Sequence, residues 1–125
     1  MSDADVYHGR CFCGAVQFIA RGEPAGMRYC NCESCRHGSA GPVDAFVLWK
    51  PEALRVIRGD NEIGTCNTTP HGLSKWCRRC GGRLFTLHPE LGLLDVCAAN
   101  IDGFPFKQDA LPRSKTGGSG SFVIE

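Results

Sequence analysis

The sequence lacks several features that would place it in a common class of protein. It has no apolar run approaching the ~20 residues that span a bilayer. Its first five residues lack the basic and apolar regions of a signal peptide. Its 14 basic residues nearly balance its 13 acidic ones, so the formal net charge is +1 and gives no field that would attract nucleic acid or an anionic membrane. We therefore expect a cytoplasmic protein that binds neither nucleic acid nor a membrane.

The sequence also lacks long amphipathic helices and internal repeats. Instead, short runs rich in β-branched and aromatic residues recur between clusters of glycine, proline and asparagine. These runs predict strands at 15–19, 45–49, 54–57, 73–76, 83–87 and 93–98, with an extended segment at 27–29. One helical turn is predicted after Cys32. The pattern favours a mainly β fold in which bound metal supplies part of the stability.

The length of 125 residues suits one domain with its own core. We predict that this domain spans residues 1–110. Residues 111–125 are basic at first and then rich in glycine and serine, which predicts a flexible C-terminal tail.

Cysteine, by contrast, is abundant. In a reducing compartment, nine cysteines are better interpreted as metal ligands or reactive thiols than as a disulfide framework. Such close spacings indicate zinc, which takes four tetrahedral ligands in structural sites. The closely spaced groups are Cys11 with Cys13, Cys77 with Cys80, and the triple of Cys30, Cys32 and Cys35.

Two of these groups are pairs, and each pair is half of a four-sulfur site at the end of a predicted strand. Joined, Cys11, Cys13, Cys77 and Cys80 form a closed zinc site that ties the first strand to the middle of the chain. The alternative is one structural zinc that uses part of the whole set, with the remaining cysteines as buried free thiols.

The remaining group, Cys30, Cys32 and Cys35, forms a separate three-sulfur site. A C-x-C step puts two sulfurs on the same side of an extended backbone, and the following C-x-x-C step bends the chain back toward them. One metal ion can take all three sulfurs. Three protein ligands leave the fourth position of zinc for water or a substrate.

Three ordered motifs carry a resemblance to a known family. They are GRCFCGAV at 9–16, CNCESCR at 30–36 and WCRRCGGRLF at 76–85. Over roughly residues 7–106 the chain resembles the glutathione-dependent formaldehyde-activating enzyme (GFA) family, which also includes centromere protein V. Asn31 stands where relatives often have histidine.

The resemblance implies an Mss4-like fold of short antiparallel sheets stabilised by two zinc ions. It implies a structural zinc at Cys11, Cys13, Cys77 and Cys80, and a catalytic zinc at Cys30, Cys32 and Cys35. The activity it implies is that of a carbon–sulfur lyase resembling S-(hydroxymethyl)glutathione synthase. Glutathione would be the co-substrate, and formaldehyde or another small aldehyde would be its reaction partner.

A fourth thiolate would add negative charge where three thiolates already outweigh Zn²⁺. Arg36 and His37 follow the triple directly, and we predict that they bind the co-substrate by offsetting that charge. The alternative is an ordinary solvated surface pair.

Two other functions compete with the enzyme hypothesis. In a non-enzymatic zinc module that binds a protein partner, Cys66, Cys97, His71 or His37 would close the fourth position. The second competing function is thiol redox chemistry at the three cysteines, although the βαβ pattern of a thioredoxin-like protein does not surround them. Cys97 is expected to be a buried unreactive thiol, since it lies in an apolar strand. Three histidines lie beside predicted turns and are expected at the surface: His8, His71 and His88.

Overall fold

The computed structural model describes residues 6–67 and 72–103 of the chain. This part forms nine strands, all paired antiparallel, and one short α-helix. The mainly β fold of short antiparallel sheets is confirmed. The elements are β1 (Val6–Arg10), β2 (Gln17–Arg21), β3 (Gly26–Cys30), α1 (Glu33–Ser39), β4 (Asp44–Trp49), β5 (Leu54–Arg58), β6 (Ile63–Cys66), β7 (Leu73–Cys77), β8 (Arg83–His88) and β9 (Leu93–Cys97).

The strands form two sheets. The smaller has the order β1-β2-β5, and the larger has the order β3-β4-β9-β8-β7-β6. In the larger sheet β9 returns from the end of the described chain to lie between β4 and β8. This insertion brings the hairpin of β8 and β9 beside the distant strand β4 at the centre of the sheet.

The core lies between the two sheets. On one face of the larger sheet, alternate residues such as Val47, Val96 and Phe85 are buried against Phe18 and Ala20 of β2. The rings of Phe18 and Phe85 meet nearly edge to face, with centroids 5.9 Å apart. The residues between these core positions face the other way, toward α1.

Strand β1 was not predicted from the sequence; it is short and contains Gly9. A Cβ at Gly9 would collide with the Phe18 ring of the paired strand, so the glycine serves packing rather than a turn. β2 begins at Gln17, two residues later than predicted, because 11–16 form a turn closed by Cys11 N–H donating to the Val16 carbonyl (3.1 Å). The predicted tail at 111–125 lies outside the described residues. In the described part, no helix is long and apolar enough to cross a membrane.

Candidate metal centres and the adjoining cavity

The first cysteine cluster joins the two sheets. Cys11 and Cys13 follow β1, Cys77 ends β7, and Cys80 lies in the turn before β8. All four Sγ atoms lie within 4.8 Å of one another. The Cys11–Cys13 and Cys13–Cys77 sulfur separations are 3.7 and 3.8 Å, and a tetrahedral zinc with Zn–S bonds of about 2.3 Å separates its sulfurs by about 3.8 Å. This arrangement fits zinc.

The turn between β7 and β8 is shaped around two of these sulfurs. The Arg79 and Gly82 backbone N–H groups donate to the sulfurs of Cys77 and Cys80, at 3.3 and 3.4 Å. Gly81 has φ +78°, a left-handed conformation that glycine adopts readily and that closes the turn. Backbone donors of this kind stabilise thiolates, so the turn is built for metal ligands.

The second cluster lies where β3 passes into α1. Cys30 ends β3, Cys32 is the N-cap of α1, and Cys35 lies in its first turn. The three Sγ atoms lie within 4.8 Å of one another, and those of Cys30 and Cys32 are 3.3 Å apart. The Cys35 backbone N–H donates to the Cys32 sulfur (3.4 Å) and thereby lowers the pKa of Cys32.

The crowding of the three sulfurs in this cluster also favours a bound cation. Burial raises the pKa of Cys35, and the neighbouring sulfurs of Cys30 and Cys32 raise it further. Three crowded thiolates repel one another, and a divalent ion removes that repulsion. Thiolate is a donor that suits zinc. Both cysteine clusters can therefore hold zinc.

Among the described residues, no fourth side chain joins the second cluster. Cys66 and Cys97 lie on β6 and β9, outside it, and burial raises the pKa of Cys97 to about 11, as expected for an unreactive thiol. The His37 ring lies 3.8 Å from Glu33, and both side chains are mostly exposed. His71 lies outside the described residues. Within the described residues, this cluster therefore has three possible metal ligands.

Arg36 and His37 lie on α1 and follow the three cysteines directly in the chain. Arg36 Nε donates to the Asn31 carbonyl (3.1 Å), and the His37 side chain is 80% exposed. Neither residue lines the cavity described next. Their predicted role in binding the co-substrate remains a prediction.

A cavity of about 520 Å³ lies between α1 and the larger sheet. Cys32 and Cys35 form part of its wall, and Phe46, Leu48 and Leu93 supply apolar surface. Its size and its mixture of apolar walls with a few polar groups are typical of small-molecule sites. The charged residues that line it are Arg28, Asp44, Arg83, His88, Glu90 and Asp95.

Two ion pairs lie inside this cavity. Arg83 Nη1 lies 3.3 Å from Asp44 Oδ2, and His88 Nε2 lies 2.7 Å from Asp95 Oδ2. His88 was expected at the surface with His8. His8 is exposed, but the His88 side chain is only 19% exposed, so that prediction was wrong for His88. The available signal was Asp95, an acidic residue inside an otherwise apolar strand that needs a partner when buried.

The structure thus defines a class: a small β-sheet protein with two cysteine clusters that can hold zinc, one of four sulfurs and one of three sulfurs beside a cavity. A family model described as "Glutathione-dependent formaldehyde-activating enzyme" matches residues 6–114. The chain belongs to that family.

A structural comparison supports the fold. A crystal structure of a Rhodobacter sphaeroides protein is similar to this chain, with a TM-score of 0.65 and 23% sequence identity. The match covers 78% of this chain and 89% of that one. Comparison with curated proteins finds no match.

Proposed function

We propose that this protein is a cytoplasmic, zinc-dependent carbon–sulfur lyase that condenses glutathione with formaldehyde or another small aldehyde. The observation that supports this most directly is the three-sulfur cluster, which has no fourth ligand among the described residues and two of whose cysteines line a cavity of small-molecule size. Family membership supports the same reaction type.

The cysteine cluster and the cavity would bind different reactants. Zinc held by Cys30, Cys32 and Cys35 would remove the proton of a bound thiol, which at neutral pH is otherwise mostly protonated. The cluster fixes where the glutathione sulfur lies, and the cavity holds the aldehyde next to it. Fixing two reactants in this way lowers the entropic part of the barrier to addition.

The addition is balanced without any other reactant. The sulfur lone pair forms a bond to the carbonyl carbon, and the C=O π pair moves to the oxygen, which takes a proton. The proton lost by the thiol equals the proton gained by the oxygen, so the product is a neutral hemithioacetal. A group that moves this proton is needed.

Binding and rate are measured separately, because the adduct also forms without a catalyst. With cobalt in place of zinc, the visible spectrum reports a fourth sulfur ligand when glutathione is added. Exchange spectroscopy on the zinc-loaded protein reports the rate of adduct formation. We expect both effects in the wild type, neither in Cys32→Ser, and both in Cys66→Ser, which alters a thiol outside the clusters.

Binding without acceleration would indicate a glutathione-binding relative that does not catalyse this addition. The absence of both effects would favour the zinc module that binds a protein partner.

A further inference from the structure

The buried polar side chains of the described residues lie at one place. Thr86 and Asp95, 9% and 8% exposed, are the buried polar residues in this part of the chain. They are direct cross-strand partners on β8 and β9, and both line the cavity beside Cys32 and Cys35. Burying a carboxyl in a small core is costly unless the group is paired. The position of the Asp95 carboxyl in the cavity indicates a role in the reaction.

The sheet holds Asp95 in a defined row. The row crosses four strands through the paired positions Leu48, Asp95, Thr86 and Ser74, and all four residues line the cavity. A carboxyl on a central strand is fixed more firmly than one on a loop. Asp95 therefore has a well-determined position facing the cavity.

A second side chain fixes the carboxyl. The Asp95 Oδ2 atom lies 2.7 Å from His88 Nε2. His88 lies on β8, two positions beyond Thr86. Burial raises the pKa of Asp95, while the His88 and Arg83 charges act in the opposite direction. The other charged groups around the cavity are Asp44 on β4, Arg28 on β3 and Glu90 in the turn after β8.

We propose that the Asp95 carboxyl, held by His88, is the catalytic acid–base group that carries the proton of the bound thiol to the aldehyde oxygen. This assignment rests on the proposed function. His88 acts as a positioning residue, because it orients the carboxyl through Oδ2.

The proton transfer has two steps. The Asp95 carboxylate takes the S–H proton as the glutathione thiol becomes a thiolate. When the sulfur lone pair then bonds to the carbonyl carbon, the C=O π pair moves to the oxygen, and the Asp95 O–H gives that oxygen its proton. The carboxylate is regenerated, and no proton enters or leaves the solvent.

The role of Asp95 is tested by the number of protons released when glutathione binds, rather than by the turnover rate. Titration calorimetry of zinc-loaded protein with glutathione alone, in buffers of different ionisation enthalpy at neutral pH, gives the protons released per thiol bound. The wild type should release almost none, because Asp95 keeps the proton. Asp95→Asn keeps the side-chain size but has no titratable group, so it should release a full proton. Glu52→Gln is the matched control, since it removes an exposed carboxylate that does not line the cavity.

The rate gives a second readout. Asp95→Asn should slow the protein-dependent addition by roughly 100-fold, as expected for loss of general acid–base catalysis, while Glu52→Gln keeps the wild-type rate. A full proton released by the wild type on binding would overturn the assignment, and this result does not depend on any variant folding. Equal proton release and equal rates in Asp95→Asn and wild type would overturn it too. If the wild type does not bind glutathione, the proposed function itself fails.

Discussion

At the scale of single residues, a cysteine can serve folding or chemistry, and substitution separates the two roles. Cys77→Ser should abolish cooperative folding. Structural zinc binding contributes about 10–16 kcal/mol in zinc-finger peptides, and whole domains are stable by roughly 5–15 kcal/mol. Cys32→Ser should leave the domain folded, because its sulfur is only half-buried and serine is a good N-cap for α1. Thermal melts of the zinc-loaded proteins check this.

Cys66→Ser is the control for these melts, since that thiol belongs to neither cluster. If Cys32→Ser is as unstable as Cys77→Ser, then the three-sulfur cluster is structural as well. In that case its zinc would be one of two folding sites.

If the protein binds glutathione as proposed, the cation that would bind its carboxylates is a second question at this scale. Arg28 is exposed on β3 and lines the cavity with Cys32 and Cys35. We expect Arg28→Ala to weaken glutathione binding about fivefold, the ~1 kcal/mol of a partly solvated ion pair. Titration of cobalt-substituted protein gives the dissociation constants.

Comparison with His37→Ala tests the sequence-based alternative. The His37 side chain is 80% exposed and lies outside the cavity lining, so the geometry favours Arg28. A larger loss in His37→Ala than in Arg28→Ala would instead support the predicted role of the pair that follows the triple.

At the scale of elements, helix α1 ends at a residue with a strained backbone conformation. Its C-cap, Ala40, has φ 55°, a left-handed conformation that costs a non-glycine residue about 1–2 kcal/mol. Glycine is the usual residue there. Ala40→Gly should therefore raise the free energy of unfolding by about 0.5–1 kcal/mol, after the extra entropy of glycine in the unfolded chain is subtracted. Urea unfolding checks this.

Ala25→Gly is the matched control, because Ala25 is also exposed but has no left-handed backbone. It should lower stability slightly. If Ala40→Gly lowers stability by the same amount, the left-handed cap is not a source of strain in solution.

The elements also show how far sequence alone could predict this protein. The strands β4, β8 and β9 were visible because each contains apolar residues that include β-branched or aromatic ones, and the division of the cysteines followed from spacing. β1 was missed because Gly9 looks like a turn residue until its contact with Phe18 is known. The cavity was missed because Cys35 is far in the chain from Thr86 and Asp95, and the three residues line one cavity only when β9 pairs with β4.

At the scale of the whole molecule, the two clusters hold different parts together. Cys11 and Cys13 belong to the segment that links β1 to β2 in the smaller sheet, whereas Cys77 and Cys80 flank the turn between β7 and β8 in the larger one. A zinc at this cluster therefore crosslinks the two sheets across the core. The three-sulfur cluster lies within one continuous segment, from β3 to α1, so its zinc crosslinks only local chain.

This difference predicts two zinc ions of unequal lability. During titration with a mild chelator, the ion at Cys30, Cys32 and Cys35 should leave first, because an open position lets the chelator bind before any protein ligand is lost. Near-ultraviolet circular dichroism should hardly change at that stage, since the crosslink between the sheets remains. Removal of the second ion should unfold the domain, because the free energy of binding structural zinc is also folding free energy.

Metal analysis after each addition of chelator, read beside the circular dichroism, gives the order of release. Cys32→Ser supplies the control, since only two sulfurs of this cluster remain in it; it should bind zinc there weakly and show only the later, unfolding step. A single zinc per wild-type chain, or loss of structure in step with the first ion released, would contradict the division. The sulfurs would then act as one folding unit, and the cavity beside Cys32 and Cys35 would have no separate metal to act on a thiol.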